Sequence, residues 1–253
     1  MEKEILIEVR DLHIGYDGRT VQKDLNFTVK KGEIFVILGG SGCGKSTLLK
    51  HLIGLYKPMA GDILINNRNI AEAKVAERRK IMQSFGVLYQ SAALFGSMTL
   101  AENISLVLEE FTNLSKAQRE QRIDEKLSLV KLQEFRDFAP SEISGGMKKR
   151  AGLARAMALN PPVLFFDEPS AGLDPISSAQ LDKLMLELRD KFNTTMVVVT
   201  HELDSIFTIA DRVIVLSAKE KTMVEEGDPR LLRKRSRQPW VKEFLNRSGE
   251  KHI

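Results

Sequence analysis

Gly39-Gly40-Ser41-Gly42-Cys43-Gly44-Lys45-Ser46-Thr47 is the stretch that decides the fold. It follows an apolar run, Ile34 to Leu38, with the character of a buried strand, and precedes Leu48 to Leu55 (LLKHLIGL), which reads as a helix. A strand, a glycine loop and a helix are the context in which Gly-x-x-x-x-Gly-Lys-Ser becomes a phosphate-binding loop. Glycines at 39, 40, 42 and 44 let the backbone curl so that its N–H groups converge on an anion. A helix starting near Lys45 adds the positive end of its dipole. The Lys45 ammonium reaches toward the outer phosphates, and the Ser46 hydroxyl suits Mg²⁺. On its own the loop says nucleotide phosphate and no more.

The 253 residues suffice for one large α/β domain or one domain plus a small insert. No run of about 18 apolar residues occurs, so no membrane-spanning helix is expected. The opening MEKEILIEVRDL lacks the apolar core and cleavage site of a signal peptide, and a cytoplasmic protein is expected. The single cysteine, Cys43, excludes an intrachain disulfide and a cysteine-based zinc site. Inside the phosphate loop it reads as a small filler whose backbone faces the ligand. Net charge is +4, and the segment from Arg230 to Ile253 holds eight Lys/Arg against two Asp/Glu, so the rest of the chain is near −2. The basic run Arg233 to Arg237 suits nucleic acid or an anionic membrane surface. A solvated helix end explains it more simply.

Residues 5–10 and 21–29 alternate apolar and polar, as half-buried strands do, with Leu12 to Thr20 between them as a turn-rich connection holding Tyr16. Lys31-Gly32 makes a tight turn into the strand that feeds the phosphate loop. A short strand is expected at Asp62 to Asn66, a charged helix at Ala71 to Ile81, and a strand at Phe85 to Tyr89 ending at Gln90. From Ser91 to about Ser141 helical signals dominate, and Ser115 opens a helix with Ile123, Leu127 and Val130 on one face. Strand–helix alternation then resumes: a strand at Val163 to Phe166, a helix at Ile176 to Lys191, and strands at Thr195 to Thr200 and Arg212 to Leu216.

Further clusters carry chemistry. Val163 to Pro169 (VLFFDEP) ends an apolar strand in two acids, which is costly unless the charges have a task. Asp167 suits Mg²⁺ through its water shell, and Glu168 suits polarising an attacking water. In ISGGMKKRAGLARAMAL, Ile143 to Leu159, Ser144 is an N-cap, and Gly145 and Gly146 expose backbone N–H groups: a second anion site, or an ordinary capped helix. His201 and Gln90 each end an apolar strand where such a sheet delivers residues to a nucleotide. The Gln90 amide suits a metal and a water, and Tyr16 suits stacking on an adenine ring.

Taken in order, these residues resemble the ATP-binding subunit of ABC transporters. The motifs are an A-loop aromatic (Tyr16), Walker A (Gly39, Gly40, Ser41, Gly42, Cys43, Gly44, Lys45, Ser46, Thr47), the Q-loop (Gln90) and the signature (Ser144, Gly145, Gly146). Walker B with its glutamate (Asp167, Glu168), the D-loop ending at Asp174 and the switch histidine (His201) complete the set. The resemblance implies an α/β phosphate-loop NTPase of ABC type: a mixed-sheet core, an antiparallel β subdomain and an inserted helical subdomain. Residues 1–228 would form the ATP-binding domain, with the insert at about 91–141, and residues 229–253 a basic helical tail.

It further implies that Glu168, His201, Lys45 and Gln90 are catalytic, that ATP is the nucleotide, and that Ser46, Gln90 and Asp167 hold Mg²⁺. Two copies would pair head to tail, so that Ser144, Gly145 and Gly146 meet the γ-phosphate across a homodimer, with Asp174 nearby. The signature departs from the usual Leu-Ser-Gly-Gly-Gln at Ile143 and Met147. Its SGGM form, the basic helix after it, and Leu94 to Ile104 (LFGSMTLAENI) resemble the Mla (maintenance of lipid asymmetry) and Mkl cassettes, which serve MCE-protein phospholipid transporters of bacterial envelopes. That likeness implies an integral-membrane permease, an MCE-type substrate-binding protein and a small STAS-domain protein as partners, at the cytoplasmic face of the bacterial inner membrane. The insert would grip the permease, with Leu94, Phe95 and Met98 as groove candidates, or as simple core. Trp240, Val241, Phe244 and Leu245 share a helical face that suits docking on the neighbouring cassette or on its own domain. A transport ATPase for another solute is the alternative. A soluble ATPase acting on nucleic acid is the outlier, since the coiled coils, zinc cysteines or second cassette of those relatives are missing here.

Overall fold

The computed structural model describes residues 4–246. Strands β1 (Ile5–Tyr16) and β2 (Arg19–Lys30) form a hairpin that leads into β3 (Ile34–Gly39). Helix α1 (Lys45–Leu52) follows, then β4 (Ala60–Ile65), β5 (Arg68–Asn69), α2 (Val75–Met82) and β6 (Phe85–Leu88). Helices α3 (Leu100–Phe111) and α4 (Lys116–Leu129) come next, then α5 (Gly145–Ala156) and β7 (Val163–Asp167). The chain continues through α6 (Pro175–Phe192), β8 (Thr195–Val199), α7 (Leu203–Ile209), β9 (Arg212–Ser217), β10 (Thr222–Gly227), α8 (Pro229–Arg235) and α9 (Pro239–Asn246).

Two sheets result. The larger has order β10-β9-β3-β8-β7-β6, with every pairing parallel except β10 on β9. The smaller, β2-β1-β4-β5, is antiparallel. This is the α/β architecture expected from the sequence, a mixed sheet beside an antiparallel one. All six residues of β3 are buried, because both faces of the large sheet are covered. Such a strand reads as an unbroken apolar run. Its side chains alternate between two cores. Val36 and Leu38 join Leu164, Phe166 and Val198 under the helices, whereas Phe35 and Ile37 join Phe165 and Val197 on the side of α1 and the antiparallel sheet. Leu48, Leu49 and Leu52 pin α1 to that second core, each contributing about 1.5–3 kcal/mol by burial.

Two local expectations need correction, and the helical region expected after Gln90 gains detail. Tyr16 ends β1 and does not sit in a long turn: Asp17 and Gly18, both at positive φ, close the hairpin in two residues. The helix expected from Ala71 begins only at Val75, since the Asn69 side chain accepts the Ala71 N–H and holds the entry as a turn. The region after Gln90 contains a second long helix, α3, started by a capping box between Thr99 and Glu102. Below α3, the buried Asn103 side chain accepts from Phe95 N and donates to the carbonyls of Phe95, Met98 and Thr99, fixing that loop. Leu94 packs on the core, whereas Phe95 is half exposed. Ser115 caps α4 as expected, with Ile123 and Leu127 buried.

The C-terminal helices pack on their own chain. Val241 and Leu245 are fully buried in the main core, and Arg230 donates to the carbonyls of Ala210 and Phe207. Part of the basic tail is thus used internally. Residues 247–253, with Arg247 and Lys251, lie outside the described residues. Among the described residues no helix is long and apolar enough to cross a membrane.

Candidate functional site

The C-terminal ends of β3, β6, β7 and β8 lie side by side, and each is followed by a residue singled out from sequence. A cavity of about 660 Å³ opens there. Gly39 to Gly42, Gly44 to Thr47, Gln90, Glu168, His201 and Tyr16 line it, together with Val21 and Phe244. Gly39 and His201, 162 positions apart, meet because β8 lies directly beside β3.

The loop is a built cradle. Gly44 has φ 99°, and a Cβ there would sit 2.4 Å from Val21 Cγ1. Gly39 has φ 152°, and its Cβ would meet Cys43 Sγ at 2.5 Å. By contrast, Cβ atoms at Gly40 and Gly42 would meet nothing, so open space faces the loop where an anion would lie. Cys43 does not line the cavity: its thiol is buried behind the loop, and burial pushes its pKa up. From below, the buried Gln22 donates to Cys43 O at 2.7 Å and to Ser217 O at 3.0 Å, tying the loop to the end of β9.

Lys45 Nζ donates to the carbonyls of Gly39 (2.9 Å) and Gly40 (3.1 Å), folded back along its own loop. Ser46 Oγ lies 3.0 Å from Asp167 Oδ1 and donates to it. This hydroxyl–carboxylate pair, with Gln90 nearby, is a hard oxygen set suited to Mg²⁺ and water. Gln90 also lines an adjoining cavity of about 510 Å³, with Asp167, Tyr89, Ser91, Ala171 and Gly172; Asp167 does not line the first. Glu168 is at φ 48°, an uncommon backbone for a non-glycine, fixed by its N–H to Val199 O at 2.8 Å. Its Oε2 lies 2.9 Å from Nδ1 of the more exposed His201. The arrangement brings a carboxylate, a ring nitrogen and a glycine loop to one opening.

Ser144, Gly145, Gly146 and Asp174 line neither cavity. Ser144 Oγ accepts from Met147 N at 3.3 Å, capping α5. Met147 packs on the main core, which accounts for an apolar residue at that position. Asp174 caps α6, accepting from the N–H groups of Ile176 and Ser177 and from the Ser177 hydroxyl. That hydroxyl, first, and those amides hold its carboxyl below the usual range.

Sequence reasoning missed Gln22, Lys149 and the cavity-lining role of Phe244. Gln22 stands on a strand with polar neighbours and carries no local signal. Lys149 sits in a basic run, Lys148 to Arg150, that hides which of its cations is buried.

A family model described as ABC transporter matches residues 22–171, more than half of the chain. The "Probable ribonucleotide transport ATP-binding protein mkl" of Mycobacterium tuberculosis is 40% identical over 242 residues, 96% of this chain and 67% of that protein. The "Intermembrane phospholipid transport system ATP-binding protein MlaF" of Haemophilus influenzae is 38% identical over 90% of this chain and 86% of its own length. The "Methionine import ATP-binding protein MetN" of Protochlamydia amoebophila is 37% identical over 98% of this chain and 74% of its own. The dimeric post-hydrolysis structure of the ATP-binding cassette MJ0796 with ADP and Pi superposes with a TM-score of 0.80 at 29% identity, covering 88% of this chain and 98% of that one.

Proposed function

The chain belongs to the ABC transporter family and is an ATPase of that family; we propose that it powers a membrane complex moving phospholipid across or between bacterial envelope membranes. The observation that carries the catalytic part is the convergence of Gly39 to Thr47, Glu168 and His201 on one cavity. The substrate rests on the SGGM signature and on the likeness to MlaF, a phospholipid-system protein matched over most of its length.

In this reading the amides of Gly40, Ser41, Gly42 and Gly44 cradle the phosphates, and Tyr16, half exposed at the lip, stacks on the adenine. Lys45 swings from its carbonyls to the outer phosphates. Ser46, Asp167 and Gln90 would hold Mg²⁺, which when bound neutralises charge on the β- and γ-phosphates. Glu168 is the general base for the attacking water, and His201 holds the water and the γ-phosphate. Ser144 to Gly146, with Asp174 nearby, complete the site of a second copy in a head-to-tail homodimer, so ATP bridges the halves and its hydrolysis releases them.

Residues 1–228 act as the ATP-binding domain, with the helical insert at about 91–141 gripping an integral-membrane permease; residues 229–253 are an appended tail. An MCE-type substrate-binding protein and a small STAS-domain protein are the further partners, at the cytoplasmic face of the inner membrane. A second reading, a cassette for a small solute, is favoured by the comparable identity to the methionine importer MetN.

The test is capture of the full chain as Glu168→Gln from gently solubilised membranes with ATP present, followed by mass spectrometry of proteins and lipids. A permease with an MCE protein and phospholipid is expected; a different solute-binding protein would overturn the substrate. The same variant should bind ATP and lose about 10²–10⁴-fold of turnover, and near-normal hydrolysis would remove Glu168 from its role.

A further inference from the structure

Helix α5 does more than present its N-terminus. Lys149, inside its second turn, is 5% exposed. Its Nζ donates to the carbonyl of Gln90 at 2.5 Å and to the carbonyl of Glu168 at 3.3 Å. Those carbonyls stand just beyond the ends of β6 and β7, which are adjacent and parallel. Among the described residues no carboxylate forms a direct ion pair with this ammonium. Burial pushes its pKa down, opposed by the more distant charges of Glu168 and Asp167. Placing an ammonium in such a spot is costly and asks for a reason.

The rest of α5 holds the Q-loop side of the joint. Arg155 donates to Ala93 O at 2.7 Å and Ala92 O at 3.1 Å, and Ala92 and Ala93 are both left-handed. Gly152 permits the close approach: a Cβ there would come 2.8 Å from Leu88 Cδ1 and 3.1 Å from Ala92. Three carbonyls after β6 are thus carried by the helix. Lys149 alone continues across to Glu168, whose left-handed backbone sets the direction of the carboxylate.

We propose that Lys149 is a positioning residue that links the signature helix to the catalytic carboxylate of the same chain, so that displacement of α5 at the dimer face is read at Glu168. This rests on the reading of the cavity as an ATP site. The link needs a long stem and several donors on one atom, which an ammonium supplies. Its effect is on the aim of Glu168 relative to Gln90, and nucleotide contacts are untouched. Changes at Lys149 should therefore alter kcat and leave KM for ATP alone.

The experiment uses the full chain in its captured membrane complex, measuring kcat and KM for ATP, binding of a fluorescent ATP analogue, and Tm. Lys149→Met keeps the stem and removes the donors. A tenfold or greater fall in kcat is expected, with KM and analogue binding within threefold and a Tm close to that of the unmodified chain. Lys149→Gln, which keeps a donor without the charge, should restore at least a third of the lost activity. Gly152→Ala pushes α5 away from Leu88 and Ala92, stretches the same link without touching Lys149, and should lower kcat severalfold at constant KM. It also carries the test if Lys149→Met does not fold. An unchanged kcat in Lys149→Met, or in Gly152→Ala where it stands in for it, overturns the proposal. So does a loss matched by KM and Tm, or rescue by neither Lys149→Gln nor Lys149→Arg, both of which keep donors. Failure of the unmodified chain to bind the analogue would instead strike at the nucleotide reading itself, and is recognisable as such.

Discussion

Two glycine-rich turns open helices in this chain, Gly39–Thr47 before α1 and Ser144–Gly146 before α5, and they are built differently. The first rises from a strand buried on both faces and lines a cavity with groups from three other strand ends. The second rises from an insert held by helix caps, spends its serine hydroxyl on its own helix, and lines neither cavity. Their glycines differ as well. In the first turn Gly44 is pressed against Val21 while Gly40 and Gly42 face open space; in the second a Cβ on Gly146 would meet Ser177 at 3.3 Å and one on Gly145 only Leu173, at 3.9 Å. A glycine kept where its own chain leaves room points to a neighbour that arrives from outside. In the proposed dimer the first turn is a site and the second is half of one.

The sharpest way to break that contrast is Gly145→Glu. A Cβ there meets only Leu173, at 3.9 Å, so the variant should fold and bind ATP as before, while turnover falls about 10²–10³-fold, as when an electrostatic contact to developing charge is lost. Normal steady-state hydrolysis by this variant would show that the second turn completes nothing. Gly44→Ala should do the converse. Overpacking against Val21 and a strained left-handed alanine should cost roughly 3–4 kcal/mol, read in urea denaturation, with ATP binding impaired even in the isolated chain.

A third measurement probes the frame beneath the D-loop. Asp182 of α6 is buried, accepts from Ser205 Oγ at 2.8 Å, and is pushed up to about 6, chiefly by burial, with Asp204 adding to the rise and Ser205 opposing it. Its folded value lies above the unfolded one, so the folded chain holds a proton that the unfolded chain has released. The stability this gives is complete below about pH 4 and is lost as pH rises through about 6, roughly 2–3 kcal/mol in all. Asp182→Asn should flatten that slope; an identical pH dependence of wild type and variant would refute it. The smallest effect is on the insert. Thr99→Ala removes the cap of α3 and should cost about 1 kcal/mol in denaturation midpoint without changing ATP binding.

Legibility in the sequence followed the range of the interaction. The phosphate loop, the strand before it and the Ser115 cap are set by neighbours within a few positions, and each stands where its residues imply. The Thr99–Glu102 capping box is equally local and is the signal that places α3. Tyr16 was harder, because a strand that continues to the edge of a hairpin is stabilised by its partner across the ladder and not by its own alternation. Gln22 had no local mark, and Phe244 was marked only as part of an apolar helix face, not as cavity lining: one reaches the loop through a carbonyl, and the other arrives on a helix about 200 residues downstream.

The sequence by itself determined the chemistry: a loop that can only favour an anion, acids at the end of an apolar strand, and a histidine after another. These follow from backbone freedom and side-chain type, which are properties of short segments. Only the tertiary structure decided which of these groups share one opening, that the signature turn stands apart from it, and that Lys149 crosses from one strand end to the next. Those outcomes depend on strand order and on the packing of α5 against β6, and neither is encoded in any short stretch of the chain.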